Sequence, residues 1–199
     1  TKALRQPGSA FKPFVYLAAV EQGYRPQSVE RDEPIRIGNW QPENYRHKYM
    51  GDVTLQQALA LSLNTVAAKL AVRVGPENVA AVAHRLGITS QLGTDASLAL
   101  GTSEVTLLDL TSSFTPFANG GYTVQPYVVK RITTRDGKLL YERKGDGFGQ
   151  SVSLQALGAM NSMMRAVVNE GTAKSARIRG FDVAGKTGTS QDYRDAWFI

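Results

Sequence analysis

Hydrophobic residues recur at helical spacing in two stretches of the chain. In residues 9–22 the apolar positions follow i, i+3, i+4 and i+7, which predicts a helix with Ser9 close to its N-terminus. These positions are Phe11, Phe14, Val15 and Ala18. Residues 151–169 show the same period and predict a second helix. Its apolar face consists of Leu154, Leu157, Met160, Met164, Val167 and Val168.

Capping and breaking residues divide the remaining chain into shorter elements. Thr54-Leu-Gln-Gln57 has the capping-box pattern and predicts a helix that reaches about Leu61. Further helices are predicted at 65–74, 76–87 and 106–119, where Pro76 takes the first helical position of its helix. Residues 23–53 are rich in Pro and Gly and predict a long surface loop with short strands.

The second half of the chain carries strand patterns. Residues 127–134 and 138–143 flank Asp136-Gly137, which is a strong signal for a two-residue hairpin turn. Residues 181–189 and 196–199 predict two more strands. The order of helices, strands, helix and strands favours an α+β protein with an antiparallel sheet over a repeated βαβ arrangement.

Composition excludes several classes of protein. With 199 residues, of which 42% are hydrophobic, the chain has enough apolar surface for a folded core. Lys and Arg outnumber Asp and Glu by 23 − 17 = +6, but they are scattered, so a nucleic-acid-binding surface is not expected. The chain has no Cys and only two His, His47 and His84, so neither disulfides nor a metal site are expected.

The first candidate for chemistry is the segment Ser9-Ala-Phe-Lys12. A helix places Ser9 and Lys12 on one face, with their Cβ atoms about 5–6 Å apart. A serine hydroxyl becomes an effective nucleophile when a base takes its proton. Lysine can be that base when burial and a second cation lower its pKa. The N–H of Ser9, near a helix N-terminus, would also be available to an oxyanion.

The second candidate is Ser62-Leu63-Asn64. On a continuous helix Ser62 and Asn64 would point in opposite directions, so a shared site requires a helix break between them. Asn64 is a suitable N-cap for the helix predicted from Thr65, and this agrees with a break. On this evidence alone, a purely structural role for both residues remains open.

The third candidate is the strand segment Lys186-Thr187-Gly188-Thr189. Glycine inside a strand often marks the close approach of another backbone or of a ligand. An extended peptide could add to the edge of such a strand through main-chain hydrogen bonds, and Lys186 would supply charge for a carboxylate. Strand alternation predicts that Lys186 and Gly188 face one side, and Thr187 and Thr189 the other.

Together the three segments resemble the motif set of penicillin-binding proteins and serine β-lactamases, with Leu63 at the position that is often Asp. More specifically, the chain is similar to the transpeptidase domain of class A, bifunctional penicillin-binding proteins. The segments that carry this likeness are Arg5–Ala19, Pro42–Tyr45, Val53–Thr65, Gly101–Thr106, Phe117–Gly121 and Glu170–Ala173. The resemblance implies an antiparallel sheet flanked by helices on both faces.

The resemblance also implies a role for each candidate residue. Ser9 would be the nucleophile, Lys12 the base, and Ser62 a proton relay. Asn64 would bind the backbone amide of the substrate. The strand Lys186, Thr187, Gly188 and Thr189 would hold its carboxylate, with an oxyanion between the N–H groups of Ser9 and Thr189. The implied partners are peptidoglycan stem peptides and β-lactams, without nucleic acid, metal or organic cofactor.

The chain opens without Met and closes inside an apolar strand pattern. We therefore expect residues 1–199 to be part of a single transpeptidase domain that is truncated at both ends. The longest apolar run, Phe14–Val20, is too short to span a membrane, which takes about 20 residues. The family resemblance implies a membrane anchor and a glycosyltransferase domain outside these residues, with the domain in the periplasm at the inner membrane.

Two related functions share these motifs and remain open. A D,D-carboxypeptidase would use water where a transpeptidase uses an amine, and a penicillin-binding sensor or scaffold would not turn over. A serine β-lactamase is disfavoured, because no Glu between the second and third motifs lies in a Glu-x-x-x-Asn pattern.

Overall fold

The computed structural model describes residues 3–145, 148–190 and 194–199. Its α-helices are α1 (Lys12–Glu21), α2 (Leu55–Ala60), α3 (Asn64–Val74), α4 (Pro76–Arg85), α5 (Leu107–Ala118) and α6 (Leu154–Asn169). Its strands are β1 (Leu4–Arg5), β2 (Val29–Asp32), β3 (Gly51–Thr54), β4 (Val105–Thr106), β5 (Arg131–Thr133), β6 (Leu139–Glu142), β7 (Thr187–Thr189) and β8 (Ala196–Phe198). Short 3₁₀ turns cover Gly8–Phe11, Tyr45–His47, Ala96–Leu100 and Lys174–Ala176.

All strand pairing in the described residues is antiparallel. β1 pairs with β4, β2 with β3, β5 with β6, and β7 with β8. The predicted α+β class is confirmed, and the strands of two to four residues form separate pairs. A hairpin around Asp136-Gly137 and the strands inside the loop 23–53 are also confirmed, although β5 and β6 are shorter than the apolar pattern suggested. The prediction of a two-residue turn is wrong, because the N–H of Thr134 bonds the carbonyl oxygen of Lys138 across three residues.

Helix boundaries follow the capping residues closely. Thr54 caps α2 as predicted: its hydroxyl accepts from the N–H of Gln57 at 3.2 Å, and the Gln57 side chain accepts from the N–H of Thr54 at 2.9 Å. Pro76 opens α4. In α6 the prediction for Leu154 is wrong, because this first residue of the helix is 70% exposed and Met163 is buried instead. The apolar period alone does not show whether a first helical turn reaches a neighbour.

Helix α1 lies at the centre of the molecule. Every residue from Ala10 to Ala19 is buried, because α1 packs against α3, α4 and α6. A helix that is surrounded on all sides needs apolar residues all round, which explains its weak amphipathicity. Phe14 makes edge-to-face contacts with Phe11 at 4.9 Å and Phe114 at 5.8 Å between ring centroids. The core therefore fixes the start of α1, where Ser9 and Lys12 lie.

Among the residues described, no helix combines the length and the apolar character needed to cross a bilayer.

Candidate active site

The nucleophile candidate lies in a 3₁₀ turn at the start of the central helix. Ser9 belongs to the turn Gly8–Phe11, is half-buried, and lines a cleft of about 780 Å³. Lys12 follows as the first residue of α1 and is fully buried. Residues i and i+3 eclipse each other in a 3₁₀ turn, so both side chains share one face, as the sequence predicted.

The helix break predicted between Ser62 and Asn64 is confirmed. α2 ends at Ala60, α3 begins at Asn64, and Ser62 has φ +58°, in the left-handed region that non-glycine residues rarely adopt. The prediction that Asn64 is the N-cap is wrong: Leu63 is the N-cap, and Asn64 is the first residue of the helix. The Asn64 side chain bonds Lys12 instead of the N-terminus of its own helix.

The amine of Lys12 is enclosed by the Ser62–Asn64 turn. In the described part of the chain, Nζ donates to the carbonyl oxygen of Ser62 at 2.6 Å and to Asn64 Oδ1 at 2.6 Å, and it lies 3.2 Å from Ser62 Oγ. These contacts bring the first and second motifs together, although 50 residues separate Lys12 from Ser62.

The third motif reaches the same hydroxyl. Lys186 immediately precedes β7 and is fully buried, and its Nζ lies 2.9 Å from Ser62 Oγ and 3.0 Å from the carbonyl oxygen of Thr187. Ser62 Oγ therefore lies within hydrogen-bond distance of two lysine amines. Since the hydroxyl has one proton and two lone pairs, it can accept from one amine while it donates to the other.

Burial lowers the pKa of both lysine amines. Loss of hydration, followed by the charge of Lys186, holds the pKa of Lys12 well below its ordinary value. Loss of hydration also lowers the pKa of Lys186 to about 7. A lowered pKa favours the neutral amine of Lys12, which is the form that can accept a proton, and Ser62 Oγ connects this amine to that of Lys186.

The titration of Lys186 predicts a pH-dependent stability. Its pKa is about 7 in the folded chain against an ordinary value of 10.5, so between these values the unfolded chain binds more protons. The free energy of unfolding should therefore rise with pH in this window. Denaturant unfolding at several pH values measures this slope, which we expect to be smaller in Lys186→Met. The exposed Lys174 provides a matched control, Lys174→Met. Equal slopes in Lys186→Met and the unaltered protein would contradict the prediction.

Strand β7 shows the predicted alternation. Lys186 and Gly188 are buried, whereas Thr187 is half-buried and Thr189 is exposed. Lys186 exchanges both backbone hydrogen bonds with Ile199, which leaves the N–H groups of Thr187 and Thr189 on the edge away from β8. The hydroxyl of Thr187 lies 2.6 Å from that of Thr172, a residue to which sequence reasoning gave no role.

Three glycines allow the nucleophile turn to touch its neighbours directly. A Cβ on Gly188 would lie 2.3 Å from the carbonyl oxygen of Pro7, and one on Gly8 would lie 2.3 Å from that of Thr189. A Cβ on Gly101 would lie 2.2 Å from the carbonyl oxygen of Gly8. Real Cβ atoms do not approach so closely, so this contact of backbone against backbone, here called the glycine junction, requires glycine at all three positions. It fixes the distance between Ser9 and β7.

Sequence reasoning missed the residues that fix the second motif in place by hydrogen bonds. Asn44, in the loop between β2 and β3, is buried, and its Oδ1 accepts from the N–H of Asn64 at 2.7 Å. The segment Pro42–Tyr45 contributes to the family resemblance, but the sequence assigns it no role. In this structure Pro42, Glu43 and Tyr45 line the cleft together with Ser9.

A family model settles the relationship of this chain to known proteins. The model of the penicillin-binding protein transpeptidase domain matches residues 1–198. The chain belongs to this family. One residue from each of the three motifs, Lys12, Ser62 and Lys186, meets at Ser62 Oγ, and Ser9 and Asn64 line the cleft.

Known members of the family are similar over the whole chain. Penicillin-binding protein 1A of Neisseria meningitidis serogroup A is 38% identical over 211 residues, which cover 100% of this chain and 26% of the relative. The crystal structure of penicillin-binding protein 1A from Haemophilus influenzae superposes with a TM-score of 0.88 at 27% identity, covering 100% of this chain and 36% of that one. The D,D-transpeptidase domain of a peptidoglycan glycosyltransferase from Eggerthella lenta gives 0.87 at 27% identity, covering 99% and 57%.

The chain spans about a quarter of the length of the curated relative from Neisseria. It is a penicillin-binding transpeptidase domain by family, and its fold is that of the transpeptidase domains in these structures.

Proposed function

We propose that this domain is a peptidoglycan D,D-transpeptidase that works through an acyl-serine intermediate. Ser9 attacks the carbonyl between the two terminal D-alanines of a wall stem peptide, the carbonyl–nitrogen bond breaks, and the terminal D-alanine leaves. An amine from a neighbouring stem peptide then attacks the ester, releases Ser9 and forms the cross-link. The observation that carries the proposal is the Ser62 hydroxyl held between two buried lysines, one of which, Lys12, lies three residues after Ser9.

In the proposed mechanism the proton moves through this cluster. Neutral Lys12 accepts the proton of the Ser9 hydroxyl, since burial holds its pKa low. Ser62 Oγ, which lies 3.2 Å from Lys12 Nζ, passes a proton to the departing amine. Lys186 donates to Ser62 Oγ on its other side and disfavours a second positive charge on Lys12. The transfer from Lys12 to Ser62 is short, because Lys12 Nζ and Ser62 Oγ already lie in hydrogen-bond range.

The substrate would bind between the nucleophile turn and β7. The N–H groups of Thr187 and Thr189, which point away from β8, suit an extended peptide, and the N–H of Thr189 together with that of Ser9 would stabilise the oxyanion. Asn64 would bind the backbone amide of the substrate. Lys186, Thr187 and Thr189 would hold its terminal carboxylate, and Gly188 permits the close approach of β7 to the turn.

A β-lactam would react at the same serine, because it resembles the D-alanyl-D-alanine unit and leaves an ester that turns over slowly. The relative from Eggerthella lenta is named a D,D-transpeptidase domain, and this agrees with the proposal.

We further propose that residues 1–199 are part of one transpeptidase domain on the periplasmic side of the inner membrane, in a protein that also carries a glycosyltransferase domain and a membrane anchor.

The test combines intact mass measurement with a peptide assay on the intact protein. We expect a stable mass increase of one benzylpenicillin, and cross-linked product from a peptide ending in D-alanyl-D-alanine when an amine acceptor is present. Release of D-alanine without cross-linking, at every acceptor concentration, would replace the proposal by a carboxypeptidase. An adduct without any reaction of the peptide would indicate a sensor, and rapid consumption of the drug without an adduct would indicate a β-lactamase.

A further inference from the structure

Asn44 caps a helix that begins 20 residues further along the chain. Its Oδ1 accepts from the N–H of Asn64 at 2.7 Å and from that of Thr65 at 3.3 Å, the first two residues of α3. The first N–H groups of a helix have no partner within it, so an acceptor from elsewhere fixes where the helix begins. Leu63, the N-cap by position, has no side-chain acceptor to offer.

The opposite end of the Asn44 amide is held by a buried carboxylate. Nδ2 donates to Asp32 Oδ1 at 2.6 Å and to the carbonyl oxygen of Lys48 at 3.1 Å. Asp32 is 1% exposed and also accepts from the N–H of Met50 at 2.9 Å and from the hydroxyl of Thr65. Since a carboxylate only accepts hydrogen bonds, it keeps the NH₂ end of Asn44 towards Asp32 and the carbonyl end towards α3.

Asn64 carries this restraint to the reacting groups. Its Nδ2 donates to the carbonyl oxygen of Glu43 at 2.7 Å, which directs its Oδ1 towards Lys12 Nζ at 2.6 Å. A continuous path of hydrogen bonds therefore runs from Asp32 through Asn44 to Asn64 and Lys12.

The loop that supplies Asn44 is itself strained. Arg46 and His47 have φ of +59° and +52°, a conformation that non-glycine residues adopt only where surrounding contacts hold them. Asn44 provides such contacts, because its carbonyl oxygen accepts from the N–H of His47 at 3.0 Å and its side chain bonds Lys48. Tyr45 of the same loop lines the cleft, so the segment that forms a cleft wall also sets the start of α3.

We propose that Asn44 is a positioning residue for acylation: fixed by Asp32, it caps α3 and so holds Asn64 against the amine of Lys12. This inference rests on the proposed function. Within the described residues Asn44 makes no hydrogen bond to Ser9, Lys12 or Ser62, so it acts through Asn64. A misplacement of about 1 Å in such a group can cost about a hundred-fold in rate.

A double-mutant cycle in the intact protein tests the inference. The second-order rate constant for acylation by benzylpenicillin is measured for the unaltered protein, Asn44→Ala, Asn64→Ala and the double variant. We expect Asn44→Ala to lower it about 10- to 100-fold in the unaltered background but less than about three-fold in the Asn64→Ala background, because residues that act through one another are not additive. Equal effects in both backgrounds would overturn the inference, since a general loss of stability would be additive.

A control separates positioning from folding. Asn161→Ala removes a partly buried amide that joins α6 to α5 by a 3.0 Å bond to the carbonyl oxygen of Phe117, and within the described residues Asn161 makes no hydrogen bond to the cluster. We expect it to lower the melting temperature without lowering the acylation rate of the folded protein. If Asn44→Ala loses no more acylation than Asn161→Ala, the inference fails while the proposed function stands. If the unaltered protein itself is not acylated, the proposed function fails and the inference fails with it.

Discussion

Ser9→Ala is expected to abolish covalent labelling by benzylpenicillin and to leave the fold unchanged. The Ser9 side chain is half-buried at the cleft, and among the described residues its hydroxyl has no hydrogen-bond partner in the protein. Its loss should therefore change the free energy of unfolding by no more than about 0.5 kcal/mol. Removing the nucleophile should slow acylation by more than about a thousand-fold, so intact mass measurement should detect no adduct.

Ser162→Ala is the matched control for this experiment. Ser162 lies on an exposed face of α6 and donates to Gln56, away from the cleft, so its variant should be labelled like the unaltered protein. An adduct that persists in Ser9→Ala, mapped by peptide digestion to another residue, would refute the assignment of Ser9 as nucleophile.

Lys12→Met is expected to slow acylation by about 100- to 10,000-fold, the usual contribution of a positioned general base. Methionine fills a similar volume within the core but cannot take a proton from Ser9. The substitution also leaves the carbonyl oxygen of Ser62 and Asn64 Oδ1 without their donor, so some loss of stability should accompany the loss of rate. Stopped-flow acylation and a thermal melt on the same samples measure both effects.

Lys69→Met is the matched control for Lys12→Met, because it removes a lysine that has no role as the base. Lys69 lies on α3 and donates to Glu33 at 2.8 Å, outside the cluster. Its variant should acylate at the rate of the unaltered protein. A decrease of less than about three-fold in Lys12→Met, with the fold intact, would move the role of base to another group.

The parts of the fold that depend on residues close together in the sequence could be predicted from it. The capping box at Thr54 determines the start of α2 within four residues of chain, and the 3.6-residue period requires a break between Ser62 and Asn64 if the two side chains share a site. The local argument failed at Asn64, where the side chain had a stronger distant partner in Lys12 than in its own helix. Local propensity predicts a helix end but not which distant group will compete for its cap.

The assembled cluster could not be predicted from residue spacing. Lys12, Ser62 and Lys186 meet although 50 and 124 residues separate them, and only the family resemblance suggested that they converge. Asn44 and Asp32 were not identified, because polar residues in a loop rich in Pro and Gly usually lie at the surface. The alternation of exposed and buried residues in β2, which turns Asp32 inward, becomes visible only in the structure.

The glycine junction has a consequence for how this protein can change under selection. Gly8, Gly101 and Gly188 leave no room for any side chain, so mutation cannot widen or narrow the distance between Ser9 and β7 in small steps. Trp40 and Tyr45, in contrast, present side chains to the cleft, so substitutions there change its wall rather than the junction. Heritable differences in inhibitor sensitivity should therefore accumulate along that wall of the cleft, while the junction stays constant across lineages.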